Sequence, residues 1–67
     1  MKQVSGKDFC RALERQGWRW LRIRSSHQRY GKPGHAPVTV PVHSTTPLKI
    51  GLLRRLMKET GLTEDDL

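Results

Sequence analysis

A chain of 67 residues holds one domain with a small core, because at this size folding buries only about 60% of the surface that the unfolded form exposes. Thirteen Lys and Arg against six Asp and Glu give a net charge of +7, and ten of the cations fall between Glu14 and Glu59, where there is no acid at all; a body with one sign of charge points to a polyanionic partner, most simply nucleic acid, or to an acidic protein. The same composition excludes a bilayer-crossing apolar run, a second domain, a buried cofactor pocket and, with Cys10 the only cysteine, an intrachain disulfide.

The first helix is expected over residues 5–16. Ser5 is its N-cap, with Asp8 in the acidic place of a capping box, and Val4 and Phe9 occupy the positions of a hydrophobic staple. Phe9, Ala12 and Leu13 recur at helical spacing and turn inward, with Cys10 as a small core residue beside them, and Gly17 ends the helix. Residues 18–24, Trp18-Arg19-Trp20-Leu21-Arg22-Ile23-Arg24, are rich in large apolar side chains that suit a pleated surface and form the first strand. Its phase is ambiguous. Both tryptophans are expected to fill the core, the alternative being that one is a stacking platform for a base.

Ser25-Ser26 makes a turn, and the chain returns as a second strand over residues 27–31. Two glycines and two prolines make Gly31-Lys32-Pro33-Gly34-His35-Ala36-Pro37 a loop, with His35 solvated in it. The third strand is expected over residues 37–42, with Val38, Val40 and Val42 on one face and Pro41 at a strand end or sheet edge. Thr46 and Pro47 read as N-cap and first residue of a second helix, residues 47–60. Leu48, Leu52, Leu53, Leu56 and Met57 form its apolar stripe, Lys49, Arg54, Arg55 and Lys58 face outward, and Gly61 caps its end. Gly51, costly within a helix, marks either where the helix really begins or a close backbone approach. Residues 63–67 form a last turn, expected to be frayed in a monomer. The order helix, three strands, helix defines an α+β domain with two helices packed on one face of a three-stranded antiparallel sheet.

The stretch with chemistry in it is Arg22-Ile23-Arg24-Ser25-Ser26-His27-Gln28-Arg29-Tyr30. It gathers a histidine, two hydroxyls and three arginines at a hairpin, a set suited to proton transfer on a phosphodiester; the plainer reading is a solvated surface histidine. His27, His35 and His43 do not fall into zinc-ligand spacing, so no metal is expected. There is no acid near Ser26 or His27 for a hydrolase triad, no nucleophile elbow, and no carboxylate pair for glycoside hydrolysis. RNA fits what remains, because its 2′-hydroxyl is an internal nucleophile that needs only proton transfer and charge stabilisation. His27 is the candidate for the first task. Arg22, Arg24, Ser26 and Arg29, with Lys49 and Arg54 of the second helix, are the candidate RNA contacts. His43 is a second candidate, with hydrogen bonding to the connector around it as the plainer role.

Ser5-Gly6-Lys7 before the first helix, Gly17-Trp18 after it, Arg22 through Ser26-His27, Val40-Pro41-Val42-His43, Leu48-Lys49, Gly51, Leu53-Arg54 and Gly61-Leu62 together resemble the HicA toxins, small mRNA interferases of bacterial toxin–antitoxin pairs. The resemblance spans nearly the whole chain and rests on the ordered set rather than on one motif. It implies a fold similar to the double-stranded-RNA-binding domain, metal-independent cleavage of mRNA, an essential histidine that falls on His27, and silencing by a HicB antitoxin. Two positions depart from the family pattern. Ser25 stands in place of the motif's glycine, and Gln28 in place of a second histidine frequent in relatives, which leaves the proton donor for the leaving group to Tyr30, a cation or water. The competing reading is a basic RNA-binding module without catalysis. The absence of a signal-peptide core in Met1-Lys2-Gln3-Val4-Ser5 and the lone Cys10 lead to the cytoplasm as the expected setting.

Overall fold

A computed structural model describes residues 3–67; Met1 and Lys2, the start of the stretch read for a signal peptide, lie outside the described residues. The elements are α1 (Gly6–Arg15), β1 (Arg19–Arg24), β2 (His27–Lys32), β3 (His35–Pro41), α2 (Ile50–Thr60) and a one-turn 3-10 helix (Glu64–Asp66). The strands form one antiparallel sheet in the order β1-β2-β3. This is the α+β order expected from the sequence.

The start of α1 follows from its first residues. Ser5 is extended and its hydroxyl accepts from the Asp8 amide at 3.1 Å, while Val4 and Phe9 are both buried. Asp8 makes an exposed ion pair with Arg11 at 3.7 Å. Gln16 is the C-cap and Gly17, at φ +90°, carries the chain out of the helix in a left-handed conformation. Phe9, Leu13, Tyr30, Val40, Leu53 and Leu56 are the largest fully buried side chains, joined in one core by Val4, Cys10, Ala12, Trp18, Val38 and Leu62. Tyr30, Val38 and Val40 alternate along β2 and β3 onto the helix side, so both helices cover one face of the sheet and leave the other open.

Three local expectations change. Residues 31–37 are not a loop: β2 runs to Lys32, β3 begins at His35, and only Pro33-Gly34 turn between them, with Gly34 at φ +82°. The register slips between Tyr30 and Lys32, and this bulge on an edge strand accommodates Pro37, which has no N–H for a regular ladder. His35 is accordingly a strand residue, with its ring 5.2 Å from that of Trp18. The second helix begins at Ile50, not at Pro47. The chain there is engaged elsewhere: Ser5 and Pro47 form an antiparallel bridge, and the Leu48 amide donates to the Val4 carbonyl at 2.7 Å. Lys49 takes the N-cap place without a side-chain cap, so of the two readings of Gly51 the helix start holds; a Cβ there would meet nothing within 4 Å.

The tryptophans part company. Trp18 is buried, its indole N–H without a partner, whereas Trp20 is 52% exposed. Trp20 pairs with the buried Tyr30 and so stands on the helix side, but β1 is an edge strand, and its Trp20, Leu21 and Ile23 all stand in solvent. The C-terminal turn is held to α1 by Arg15 Nη2 donating to the Asp66 carbonyl and Gln16 Nε2 donating to Asp66 Oδ1, each at 3.0 Å. The Thr63 amide also donates to Asp66 Oδ2 at 2.7 Å.

Candidate active site

Period-two alternation sends Arg29 and His27 to the face opposite Tyr30. Their cross-strand partners on β1 are Arg22 and Arg24, respectively, because the irregularity after Trp20 puts both arginines in phase with the open face. Thr39 of β3 pairs with Arg29 and accepts a 3.0 Å hydrogen bond from Arg29 Nη1, which fixes that guanidinium over the sheet. Arg22, Arg24, His27, Arg29 and Thr39 together line a shallow basin of about 200 Å³. Three guanidiniums around one imidazole, with no carboxylate among them, are a set whose charge and donor geometry suit a phosphate or phosphodiester.

The hairpin that carries His27 is tight. Ser25 is its first turn residue and sits at φ +57°, the left-handed region where a glycine would be free of strain. The Val42 amide donates to the Ser26 carbonyl at 2.7 Å, tying the end of β3 to the turn. His43 is thereby delivered to the same place. Its Nε2 lies 3.4 Å from Ser26 Oγ, and its ring is edge-on to that of His27 with centroids 6.4 Å apart. His43 thus bonds both ways, its ring toward the hairpin and its carbonyl accepting from the Thr46 amide of its own connector at 3.0 Å. On its far side, Pro41, His43, Thr46, Pro47, Leu48, Lys49 and Leu52 line a second cleft of about 250 Å³, mostly apolar.

The residues singled out from the sequence therefore divide. Arg22, Arg24, His27 and Arg29 share the basin, Ser26 joins it to His43, and Lys49 stands at the second cleft. Arg54 is exposed on α2 and lines neither. Thr39 is the basin residue that sequence reasoning misses, although its alternation with the buried Val38 and Val40 is a pattern that places it on the open face.

Tyr30 is removed from the candidates for proton donation. It is buried on the helix side, and its hydroxyl donates to Glu14 Oε2 at 2.7 Å. Burial first, and then that hydrogen bond to a carboxylate, push its ionisation far above the usual phenol range. Cys10 is buried near it, and burial raises the thiol from 9.0 to about 11, with the negative charge of Glu14 adding to the shift against a lowering hydrogen bond from Tyr30. It is a core residue and no nucleophile. Among the described residues, no group of three or more His, Cys, Asp or Glu side chains comes together as a metal site, and no helix is long and apolar enough to cross a membrane.

Fold and site define a class: small basic α+β domains that leave one sheet face uncovered and set a histidine among arginines on it. Residues 6–62 of the 67 match the family described as the HicA toxin of bacterial toxin–antitoxin systems, and the chain belongs to that family. No curated protein matches the sequence. Membership of a toxin–antitoxin family implies an antitoxin partner.

Proposed function

We propose that this chain is a toxin acting as an endoribonuclease, which binds mRNA on the open face of the sheet and cleaves it without a metal ion, His27 moving the proton. The observation that carries this reading is the basin in which His27 lies with Arg22, Arg24 and Arg29. Arginine forks bind the two free oxygens of a phosphodiester and offset the charge that grows on them as the 2′-oxygen attacks. Histidine is the side chain that exchanges protons near neutral pH, and here it stands within the same basin. No carboxylate lines the basin to repel the polyanion.

The antitoxin in this reading is a HicB-type protein with an acidic surface that covers His27, and the setting is the cytoplasm. A net charge of +7 favours fast capture by an acidic partner. The test is incubation of the purified protein with a long RNA in the presence of EDTA, followed by mapping of new ends. Wild-type protein is expected to cut, and His27→Ala to bind without cutting. Stable complexes with no new ends from the wild type would favour the non-catalytic RNA-binding module instead, and cutting by a folded His27→Ala protein would sink the role of His27.

A further inference from the structure

Cleavage of a phosphodiester needs one proton taken from the attacking oxygen and another given to the departing one. His27 can serve only one of these at a time, and Tyr30 is turned into the core. Beside the cations of the basin and Lys49 of the cleft, His43 is a second imidazole that the fold brings to the spot. The ring geometry is that of two groups flanking a common substrate: centroids 6.4 Å apart and planes at 82°, with both rings exposed. The Ser26 hydroxyl lies 3.4 Å from Nε2 of the His43 ring, and the 2.7 Å bond from the Val42 amide to the Ser26 carbonyl holds the backbone beside it.

The surroundings of the two histidines differ in kind. His27 shares its basin with three arginines, whereas His43 borders the cleft walled by Pro41, Pro47, Leu48 and Leu52, with Lys49 at its edge. Pro41 pairs with His27 in the sheet register, so basin and cleft adjoin along the line His27–Pro41–His43. A chain with its phosphate among the arginines therefore has an apolar slot one step away. Flat apolar rings flanked by phosphates are what a nucleobase offers, and Lys49 suits the next phosphate. Only an unpaired base can enter such a slot, which makes the substrate single-stranded at this point.

We propose that His43 is the proton donor to the leaving group and that the cleft beside it seats the nucleoside on the leaving side of the cut. This rests on the ribonuclease reading above. His27 accepts the proton of the 2′-hydroxyl as the 2′-oxygen bonds to phosphorus. The bond from phosphorus to the 5′-oxygen breaks, and the imidazolium of His43 gives its proton to that oxygen. The products are a 2′,3′-cyclic phosphate and a 5′-hydroxyl end; exchange with water then returns both histidines to their starting forms.

The experiment uses an RNA oligonucleotide containing a bond that the wild type cuts, and a twin in which the 5′-bridging oxygen at that bond is sulfur. A thiolate departs without needing a proton. His43→Ala and His43→Gln are expected to cut the all-oxygen RNA on the order of 100-fold or more slowly, and to cut the sulfur twin at close to the wild-type rate. His27→Ala is expected to be slow on both. A merely structural role for His43 would leave its variants slow on both substrates, and that result overturns the proposal, as does full activity of His43→Ala on the oxygen substrate. Rescue of His27→Ala in place of His43→Ala overturns the assignment of acid. Failure of the wild type to cut either RNA overturns the ribonuclease reading itself, and is told apart by that. For the cleft, removal of the base on the leaving side is expected to lower kcat/KM about tenfold or more; equal cleavage of the abasic RNA excludes the cleft as a base site.

Discussion

Gly6 and the Pro41 carbonyl are in such close approach that a Cβ on Gly6 would collide with the carbonyl oxygen. The first turn of α1 therefore lies directly on the end of β3, two residues before His43. This packing ties the core to the candidate site, since whatever moves Pro41 also moves the strand end that carries His43 to Ser26.

Gly6→Ala is accordingly expected to lower stability by about 1–3 kcal/mol, the usual cost of overpacking a closed interface. The displacement should appear at the site as well as in the core. Urea unfolding gives the first effect, and shifts of the His27 and His43 ring signals in NMR spectra give the second.

Ser25 offers a test of the hairpin. At φ +57° a serine is tolerated but strained, and a β-branched side chain is strained further. Ser25→Val is expected to destabilise by about 1–2 kcal/mol. Ser25→Gly, which relieves the strain but frees the unfolded chain, should leave the unfolding midpoint unchanged or slightly raised. Thermal unfolding followed by circular dichroism distinguishes the three proteins. Serine in the place of the family glycine is thus compatible with the turn.

Much of this was legible in the residues, and what was not has identifiable causes. Ser5, Val4, Phe9 and Gly17 encode α1 through caps and staple within a few positions of one another, and α1 begins and ends where they place it. Local signals failed where distant backbone intervened. Pro47 has every mark of a helix start, yet its segment pairs with Ser5 and Val4 from the other end of the chain. The exposure of Trp20 follows from the place of β1 at the edge of the sheet, which alternation along one strand does not record. The four-residue cluster Arg22, Arg24, His27 and Arg29 could be read from a short hairpin. The approach of His43 could not, because it depends on the bond between Val42 and Ser26 across the sheet.

Tyr30→Phe separates structure from chemistry. Without its hydrogen bond to the Glu14 carboxylate, the protein is expected to be less stable by about 1.5–3 kcal/mol. RNA cleavage at a temperature where the variant is folded should be unchanged, because the hydroxyl is buried on the face away from the basin. Loss of cleavage by a folded Tyr30→Phe protein would restore it as a proton donor.

Stability is expected to fall on the alkaline side. Cys10 and Tyr30 are both raised in the folded state from ordinary values of 9.0 and 10.0, the thiol to about 11 and the phenol further. Below pH 9 both are protonated in either state and their contribution is complete. As the pH climbs past 9 the unfolded chain releases these protons first, so the folded state loses ground by up to about 1.4 kcal/mol per pH unit for each group. Urea midpoints between pH 8 and pH 11 measure this, and Cys10→Ala should flatten the part of the decline that begins near 9.

The arginines of the basin are best weighed by salt. If they hold phosphates, the logarithm of RNA affinity falls linearly with the logarithm of salt concentration, and each phosphate neutralised adds about 0.7 to the steepness of that fall for a single strand. Arg22→Ala, Arg24→Ala and Arg29→Ala are each expected to reduce both affinity and slope, measured by fluorescence anisotropy with the cleavage-deficient His27→Ala protein as the parent. Lys58→Ala, on the helix layer away from the open face, should leave the slope at the parent value. Arg29 differs from the other two, because Thr39 fixes its guanidinium. Thr39→Val should therefore lower affinity while leaving the slope close to that of the parent, as the charge is kept and only its placement is relaxed. A flat salt response in the parent would mean that the open face does not bind RNA through phosphates at all.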